Sequence, residues 1–351
     1  MNRFSITRTA LGVATLAMFV AGVSVDGQAF RIGIIGLYGL NKVSPSEVRR
    51  TLTFKEGDTI TIARERPAAF LDSERRLAAL TGVVRARIEP VCCDSGAVIV
   101  FVGIQEQGAP TLHLRPAPEG AERLPADIVL AGEEFSTAST AAIQRGDVGE
   151  DRSQGHSLMH DPASRAIQER FVVFARRDLP LLRLVLRRSS DAAERALAAQ
   201  ILGYVADKQS VVDDLVRGMS DPAEEVRNSA MRALMVFAEA VPGPNGATMR
   251  IPSGPFIGFL NSLVWSDRNK ASGALMALTA RRDQRLLAEL RESALTPLVE
   301  MARWKSAGHA FPAFVILART AGYSDEVAAG YWDRGDREVI IQAAIARRRQ
   351  R

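Results

Sequence analysis

The chain is poor in the residues that most often carry metal sites and acid–base catalysis. Its 351 residues include only four histidines and two cysteines. Two cysteines cannot build a disulfide framework, and four histidines leave little material for metal ligation or proton transfer. The sequence therefore favours a binding or scaffolding protein over an enzyme. We assign no catalytic, cofactor-binding or metal-ligating residues.

Lysine is also scarce, because only five of the 45 basic residues are lysine and the rest are arginine. The 40 acidic residues leave a formal net charge of +5, which is mild for this length. An arginine bias can arise from genome composition as easily as from anion binding, so we infer no nucleic-acid partner. Hydrophobic residues make up 47%, which excludes a disordered chain, and the length favours two or three domains.

The one long apolar run lies at the N-terminus. Arg3 and Arg8 give a basic start, residues 10–25 carry no charge, and Gly27 and Ala29 place small side chains at the −3 and −1 positions of a cleavage site. The run is short for a membrane span, which needs about 20 residues. We predict a signal peptide over residues 1–29 and a periplasmic or extracellular chain. An uncleaved anchor is the alternative, and peripheral membrane contact stays open.

Residues 30–110 have the pattern of a small α+β domain in the order strand, helix, helix, strand, strand. Ser44, Pro45 and Glu47 form a capped helix start. The elements predicted are a strand at 30–37, helices that begin at Ser44 and at Pro67, and strands at 83–91 and 97–105.

Two apolar–polar patterns predict which side chains of this domain are buried. In the helix after Pro67, Phe70, Leu71, Leu77 and Leu80 recur at spacings of three or four and should face inward. In the strand at 83–91, Val84, Ala86 and Ile88 should form a dry face, and Arg85, Arg87 and Glu89 a wet one.

Four segments of this domain resemble the polypeptide-transport-associated (POTRA) family. They are IIGLYGLNKVSPSEV at 34–48, KEGD at 55–58, LAALTGVVRARIEPV at 77–91 and IQEQGAP at 104–110. The turn at 38–40 is longer than is common in that family. The resemblance implies a peptide-docking module whose exposed sheet edge accepts a partner strand through main-chain hydrogen bonds. A spacer domain without a ligand is the alternative.

Residues 111–177 are predicted to be a proline-rich linker and helical connector, with helices at 138–145 and 165–177. In the polar stretch at 146–162, His156 and His160 are four residues apart, a spacing that could place both rings on one helical face and bind a metal. Gly155 and Pro162 favour a loop instead. A metal-binding protein or enzyme centred on His156 and His160 is the alternative function.

Cys92 and Cys93 are adjacent at the tip of the hairpin that ends the first domain. Adjacent cysteines can close only a strained ring, so we interpret them as free thiols, although an oxidising compartment would favour a bonded form.

Residues 178–351 contain internal repeats of helix pairs. Residues 181–191 align with 211–221, and residues 195–202 align with 227–234. Self-similarity at this period is typical of helical solenoids. In each unit an aspartate, Asp191 or Asp221, is predicted to cap the second helix.

The repeats resemble HEAT repeats, in particular the shorter HEAT-like units first named in phycobilin lyases. The resemblance implies an all-α superhelical solenoid whose long faces contact other proteins. Its pattern weakens after the insertion at 241–255, where a third pair is predicted at 256–278 and further helices reach the C-terminus. The arginine-rich tail at 347–351 is predicted to be a solvated end.

The sequence thus predicts a multidomain protein, a POTRA-like α+β domain at 30–110 and a HEAT-like repeat domain at 178–351. The function expected is that of an exported, non-catalytic adaptor or scaffold of the cell envelope. Its partners would be other envelope proteins or extended peptide segments. A purely structural spacer is a further alternative.

Overall fold

The computed structural model describes residues 27–63, 65–94, 96–240 and 249–349. Nearly all of the predicted signal peptide therefore lies outside the described residues. The side chains of Cys92 and Cys93 lie outside them as well, as does much of the insertion after residue 240.

The first domain is a four-stranded mixed sheet with two helices. Its sheet order is β2-β1-β4-β3; β1 runs parallel to β4, and the other neighbours are antiparallel. The two predicted helices and three predicted strands are present, and the short strand β2 is additional. The elements are β1 (Gln28–Tyr38), α1 (Pro45–Thr51), β2 (Thr59–Ile62), α2 (Ala68–Ala78), β3 (Val83–Asp94) and β4 (Ala97–Glu106).

The two faces of this sheet are covered by different parts of the chain. Helices α1 and α2 cover one face, where Val48, Phe70 and Leu77 are fully buried. On the other face, Tyr38 and Phe101 belong to the hydrophobic core of the helical repeats. The sheet is therefore enclosed between its own helices and the C-terminal half of the chain.

The predicted wet face of β3 is open to solvent at Arg85 but meets the helical repeats at Arg87 and Glu89. Arg87 forms an ion pair with Glu224, and the Glu89 carboxylate accepts a hydrogen bond of 2.7 Å from the Trp265 amide. These charged side chains face the helical repeats, which the alternation within one strand could not reveal. Burial of a charged side chain costs less free energy when an ion pair or a hydrogen bond replaces its contact with water, as it does for Arg87 and Glu89.

Beyond residue 106 the described residues are mainly helical, with a non-helical segment at 107–125 and a hairpin of two-residue strands, β5 (Glu150–Asp151) with β6 (Leu158–Met159). Helix α3 begins directly after Pro125 and is longer than the helix predicted at 138–145. The helices are α3 (Ala126–Gln144), α4 (Pro162–Arg177), α5 (Leu179–Arg188), α6 (Ala192–Leu202), α7 (Val212–Gly218), α8 (Glu224–Glu239), α9 (Gly254–Phe259), α10 (Trp265–Thr279), α11 (Gln284–Ser293), α12 (Leu295–Ala302), α13 (Ala307–Ala321), α14 (Asp325–Asp333) and α15 (Arg337–Arg349).

Buried arginine–carboxylate pairs connect successive helix pairs. Arg195 on α6 binds both carboxylate oxygens of Asp221, at 3.0 and 2.8 Å. Arg227 on α8 makes the equivalent pair with Asp267 on α10, and all four side chains are almost completely buried. Each pair fixes the register of one repeat against the next.

The two predicted helix caps differ in outcome. Asp191 caps α6, since its carboxylate accepts the Glu194 amide. Helix α8 begins only at Glu224 and has no side-chain cap. The Asp221 carboxylate accepts the Ala223 amide at 3.0 Å, one residue before the helix, and pairs with Arg195 and Arg115, so Asp221 is not the N-cap residue that the sequence predicted.

Two helices in the repeat region are buried on most of their circumference. Eleven residues of α10 are buried, and in α13 nearly every residue after Pro312 is buried too. A helix in this setting is a core element rather than one wall of an open two-layer array. The helical half is therefore thicker around α10 and α13 than a simple stack of pairs.

The proline-rich segment at 111–125 runs across the turns of the first repeats, and we name it the strap. The Arg115 amide donates to Ser220 O, and the Gly120 amide donates to Arg188 O, each at 2.8 Å. The Ser190 amide returns a hydrogen bond to Gly120 O. These main-chain bonds fix the path of the chain from β4 to α3.

The arginine-rich tail begins within α15 rather than beyond it. Arg347 donates to Ala321 O, and Arg348 donates to Glu292 O. The start of the tail is thus hydrogen-bonded to neighbouring helices, while the side chains of Arg347 and Arg348 stay exposed to solvent.

The Arg195→Ala variant should lose about 3 kcal/mol of unfolding free energy. It removes the guanidinium that binds both oxygens of the buried Asp221 carboxylate and leaves Arg115 as the paired charge. Chemical denaturation of the full chain measures this. The matched control is Arg303→Ala, which breaks the exposed pair with Glu338 and should cost less than about 1 kcal/mol. Equal losses in the two variants would contradict the structural role of the buried pair.

Candidate functional site

The sheet face opposite α1 and α2 is closed by an aromatic cluster. The Phe101 ring centroid lies 5.1 Å from that of Trp265 and 4.9 Å from that of Trp304. The Tyr38 hydroxyl, fully buried, donates a hydrogen bond of 2.7 Å to Leu263 O. Gly103 makes room for Tyr38, since a Cβ there would lie 2.5 Å from its ring. This face is not available to a partner.

Carboxylates at the same contact hold the main chain of both halves. Glu300 on α12 accepts the amides of Gly39 and Leu40 and pairs with Arg268. Burial raises the pKa of Glu300, although Arg268 and the two amides oppose the rise. Burial likewise raises the pKa of Glu89. Both carboxylates join the halves through directed hydrogen bonds.

Glu106 has a separate role at the end of β4. Its carboxylate accepts three main-chain amides, those of Asn41, Lys42 and Val43. Burial acts to raise the pKa of Glu106, but these hydrogen bonds outweigh it and lower the pKa. Glu106 therefore fixes the loop that leads into α1.

The outer side of β1 is capped by side chains. The Ile35 amide donates to the Glu56 carboxylate at 3.0 Å, and Arg49 donates to Ile35 O at 3.1 Å. Glu56 also pairs with Lys305 from the helical half. Side chains thus take the place of a neighbouring strand here.

β3 forms one edge of the sheet and β2 the other, and a groove of about 350 Å³ lies between β3 and α2. Within the groove, Leu71 and Val84 are 43% and 55% exposed. The prediction that both side chains are buried is therefore wrong. The register against β4 shifts between Val83 and Arg85, which indicates a bulge that turns Val84 outward. The groove is lined by Leu71, Glu74, Arg75, Ala78, Val84, Arg85 and Ala86.

The main chain of β3 faces the groove side at alternate residues. The Ile88 amide and carbonyl both meet side chains from outside the sheet, so they point away from β4. Because this orientation recurs at every second residue of a strand, the main chain of Ala86 also points away from β4. Edge groups of this kind can pair with an added strand.

His156 and His160 lie on either side of β6 rather than on one helix. The His156 ring packs on Tyr204, with 5.5 Å between centroids, and burial lowers the pKa of His156, assisted by Lys208. The His160 ring lies against Gly149, where a Cβ would be 2.4 Å from Nδ1. The neighbouring Asp161 carboxylate caps α4 and pairs with Arg145.

No group of three or more potential metal ligands occurs among the described residues. The loop at 146–162 instead makes a polar network with the helices beneath it. Gln168 accepts the Met159 amide and donates to the Tyr204 hydroxyl, which donates in turn to Ser157 O. The loop is thus bound to α4 and to the end of α6, as the loop interpretation predicted.

Charged side chains continue this network toward α8 and α10. Glu150 pairs with Arg152 from its own loop and with Arg232 from α8. Burial acts to raise the pKa of Glu150, but these arginines outweigh it and lower the pKa to about 2. Lys270 on α10 is buried beside them, and burial, together with Arg232, lowers the pKa of Lys270 to about 7. The loop and α3 therefore cover the outer sides of α4, α6 and α8.

The sequence reasoning missed the groove because its residues were assigned to the core. Leu71 and Val84 fit the apolar periodicities of α2 and β3, and nothing in a periodicity marks a bulge. Glu74 and Arg75 are ordinary polar residues of a surface helix. The useful signal was that α2 and β3 contain more apolar positions than one core can bury, since α2 cannot cover both the centre of the sheet and the start of β3.

The unfolding free energy should depend on pH through Lys270. Its pKa is about 7 in the folded protein and about 10.4 when unfolded, so the unfolded chain binds the extra proton between these values. Stability from this group should rise by about 1.4 kcal/mol per pH unit from about pH 7 to 10. Denaturation of wild type and Lys270→Met across this range checks the slope. Parallel pH profiles would contradict the lowered pKa.

Comparison with protein families identifies residues 179–242 as similar to HEAT repeats. This segment comprises α5 to α8, the two helix pairs joined by Arg195 and Asp221. No curated protein sequence matches the chain. Among the described residues, no helix has the length and apolar character needed to cross a membrane. The findings support an N-terminal mixed sheet followed by a helical region with HEAT repeats, which suggest a protein-interaction scaffold.

Proposed function

We propose that this chain is an exported, non-catalytic adaptor of the cell envelope that binds an extended segment of another envelope protein in the α2–β3 groove. The observation that carries the proposal is the outward-facing main chain of β3 at Ala86, beside the exposed side chains of Leu71 and Val84. Such an edge supplies main-chain hydrogen bonds, and the apolar groove supplies a site for a side chain.

The POTRA resemblance supports the same assignment. The order of two helices and three principal strands agrees with that family's pattern, and the Glu106 carboxylate closes the loop before α1 at the segment that carries the resemblance. In that family an exposed sheet edge is the docking element. The resemblance implies docking at an exposed sheet edge, and the groove selects the β3 edge for this role.

The HEAT-like half would serve as a rigid support in this adaptor. Its helices pack on Tyr38 and Phe101 and so close one face of the sheet. The groove at the β3 edge stays exposed. HEAT repeats also offer extended surfaces for protein contacts. We place the primary contact in the groove because the strap and the loop at 146–162 already occupy much of the first repeats.

Export rests on the N-terminal sequence pattern alone, with its basic start, apolar run and small residues at 27–29. Cleavage after Ala29 would remove two residues of β1 that pair with Thr61 and Ile62. Phe30 and Arg31 would retain their partners in β2, so the sheet can tolerate this cleavage. Removal of residues 1–29 is thus compatible with the fold.

A photo-crosslinking side chain in place of Val84 should give one discrete adduct with an envelope protein in the native host. The groove brings a bound segment within reach of this position. The matched control replaces Val327 on α14, which is 45% exposed and lies far along the chain in the helical half. Electrophoresis and mass spectrometry of the envelope fraction identify the adducts.

The adduct at position 84 should disappear when Leu71→Arg is introduced, because the charge would occupy the apolar groove. Circular dichroism must show that this variant retains its fold. The same adducts at both crosslinking positions, or none at position 84, would contradict docking in the groove.

A further inference from the structure

We infer that the ion pair between Arg66 and Glu74 is a gate that limits how much of the β3 edge a bound segment can use. The inference rests on the proposed docking function and specifies its length limit. The gate consists of these two side chains and the main-chain groups of Ile88 that they occupy.

The gate takes both outward main-chain groups of one residue. Glu74 Oε1 accepts the Ile88 amide at 2.6 Å, and Arg66 Nη2 donates to Ile88 O at 2.9 Å. Two further hydrogen bonds, at 3.0 and 2.5 Å, join the guanidinium and the carboxylate. The pair thus imitates one residue of an adjacent strand, with a donor and an acceptor at the positions that a docked main chain would use.

The position of the gate determines the length of the open edge. On one side of Ile88 lies Pro90, which has no amide to donate. On the other side lie Ala86 and then the bulge at Val84. A partner strand can therefore pair at Ala86, but it meets the gate at the next outward residue, Ile88. The closed gate admits a short segment of about three residues, while an open gate would allow the pairing to continue to Ile88.

The side chains around the open edge indicate the chemistry of the segment. Leu71, Ala78 and Val84 offer one apolar contact site. Arg75 and Arg85 line the same groove, but Arg75 pairs with Asp72 on its own helix, and the Glu74 carboxylate is engaged by Arg66 and Ile88, so Arg85 supplies the positive charge that a bound segment would meet. The local charge therefore favours a segment with an apolar residue next to an acidic one.

Breaking the gate should increase affinity because Arg66 is half-exposed and its pairing competes directly with strand addition. When the Arg66–Glu74 pair is absent, the Ile88 amide and carbonyl face water. The main chain of a bound segment can then form a hydrogen bond with each of them. Two additional main-chain hydrogen bonds at net strengths near 1 kcal/mol each correspond to a gain of at least tenfold in affinity.

The test uses two synthetic probes with blocked ends and a fluorescent label. The long probe has nine alternating threonine and valine residues between two aspartates, and the short probe has valine, threonine and valine between the same aspartates. Fluorescence anisotropy measures binding to the full chain, to Arg66→Ala/Glu74→Ala and to Arg66→Ala. The control Arg76→Ala breaks a pair with Asp72 on the same helix, away from Ile88.

The double variant should bind the long probe at least tenfold more tightly than wild type, with the short probe and Arg76→Ala changed less than twofold. Equal binding of the long probe to wild type and double variant would overturn the gate and leave docking intact. Binding of neither probe to any form would overturn docking and the gate together. Concentration-dependent self-association of the double variant without a gain for the long probe would also overturn the gate, because the pair would then only protect the edge.

Discussion

The architecture depends on the burial of an apolar sheet face that the first domain cannot cover by itself. Helices α1 and α2 shield one face, and Tyr38, Ile99 and Phe101 lie on the other. Each large apolar side chain removed from water contributes roughly 1.5–3 kcal/mol. Trp265 and Trp304 supply the missing cover from the helical half. Separating the two halves would therefore expose this apolar surface to water, so each half stabilises the other, although their sequences have different patterns.

The arginine-rich composition has a structural use in this fold. Arg195 and Arg227 each bind a buried carboxylate through two nitrogens, a geometry that a planar guanidinium provides and an ammonium group does not. Arg268 stacks on Tyr38, with 4.6 Å between the guanidinium carbon and the ring centroid, and pairs with Glu300. Arg195, Arg227 and Arg268 are thus buried and paired with carboxylates inside the fold.

Local features of the chain were predictable where short-range chemistry decides them. The Ser44 cap of α1, the Asp191 cap of α6 and the order of helices and strands around the sheet all follow from nearby residues. Long-range contacts were not predictable in this way. Asp221 has the sequence context of a cap, but Arg195 and Arg115 compete for its carboxylate.

The candidate site shows the same division between local and distant effects. The hairpin containing β3 could be predicted, but the bulge at Val84 depends on the register with β4, and the gate depends on a contact between residues 66, 74 and 88. Since the helical repeats cover one face of the sheet and α1 and α2 cover the other, the exposed large apolar side chains of this domain, Leu71 and Val84, lie in the groove beside the start of β3.

Residue-resolved hydrogen exchange of the intact protein tests most directly whether the two faces of the sheet are enclosed while the β3 edge is open. The amides of β1 and β4 should exchange as slowly as those of α10, because exposing them requires the two halves to separate. The Ala86 amide should exchange orders of magnitude faster, since it points away from β4. Fast exchange throughout β1 and β4 with a protected α10, or an Ala86 amide as slow as its neighbours, would contradict the account.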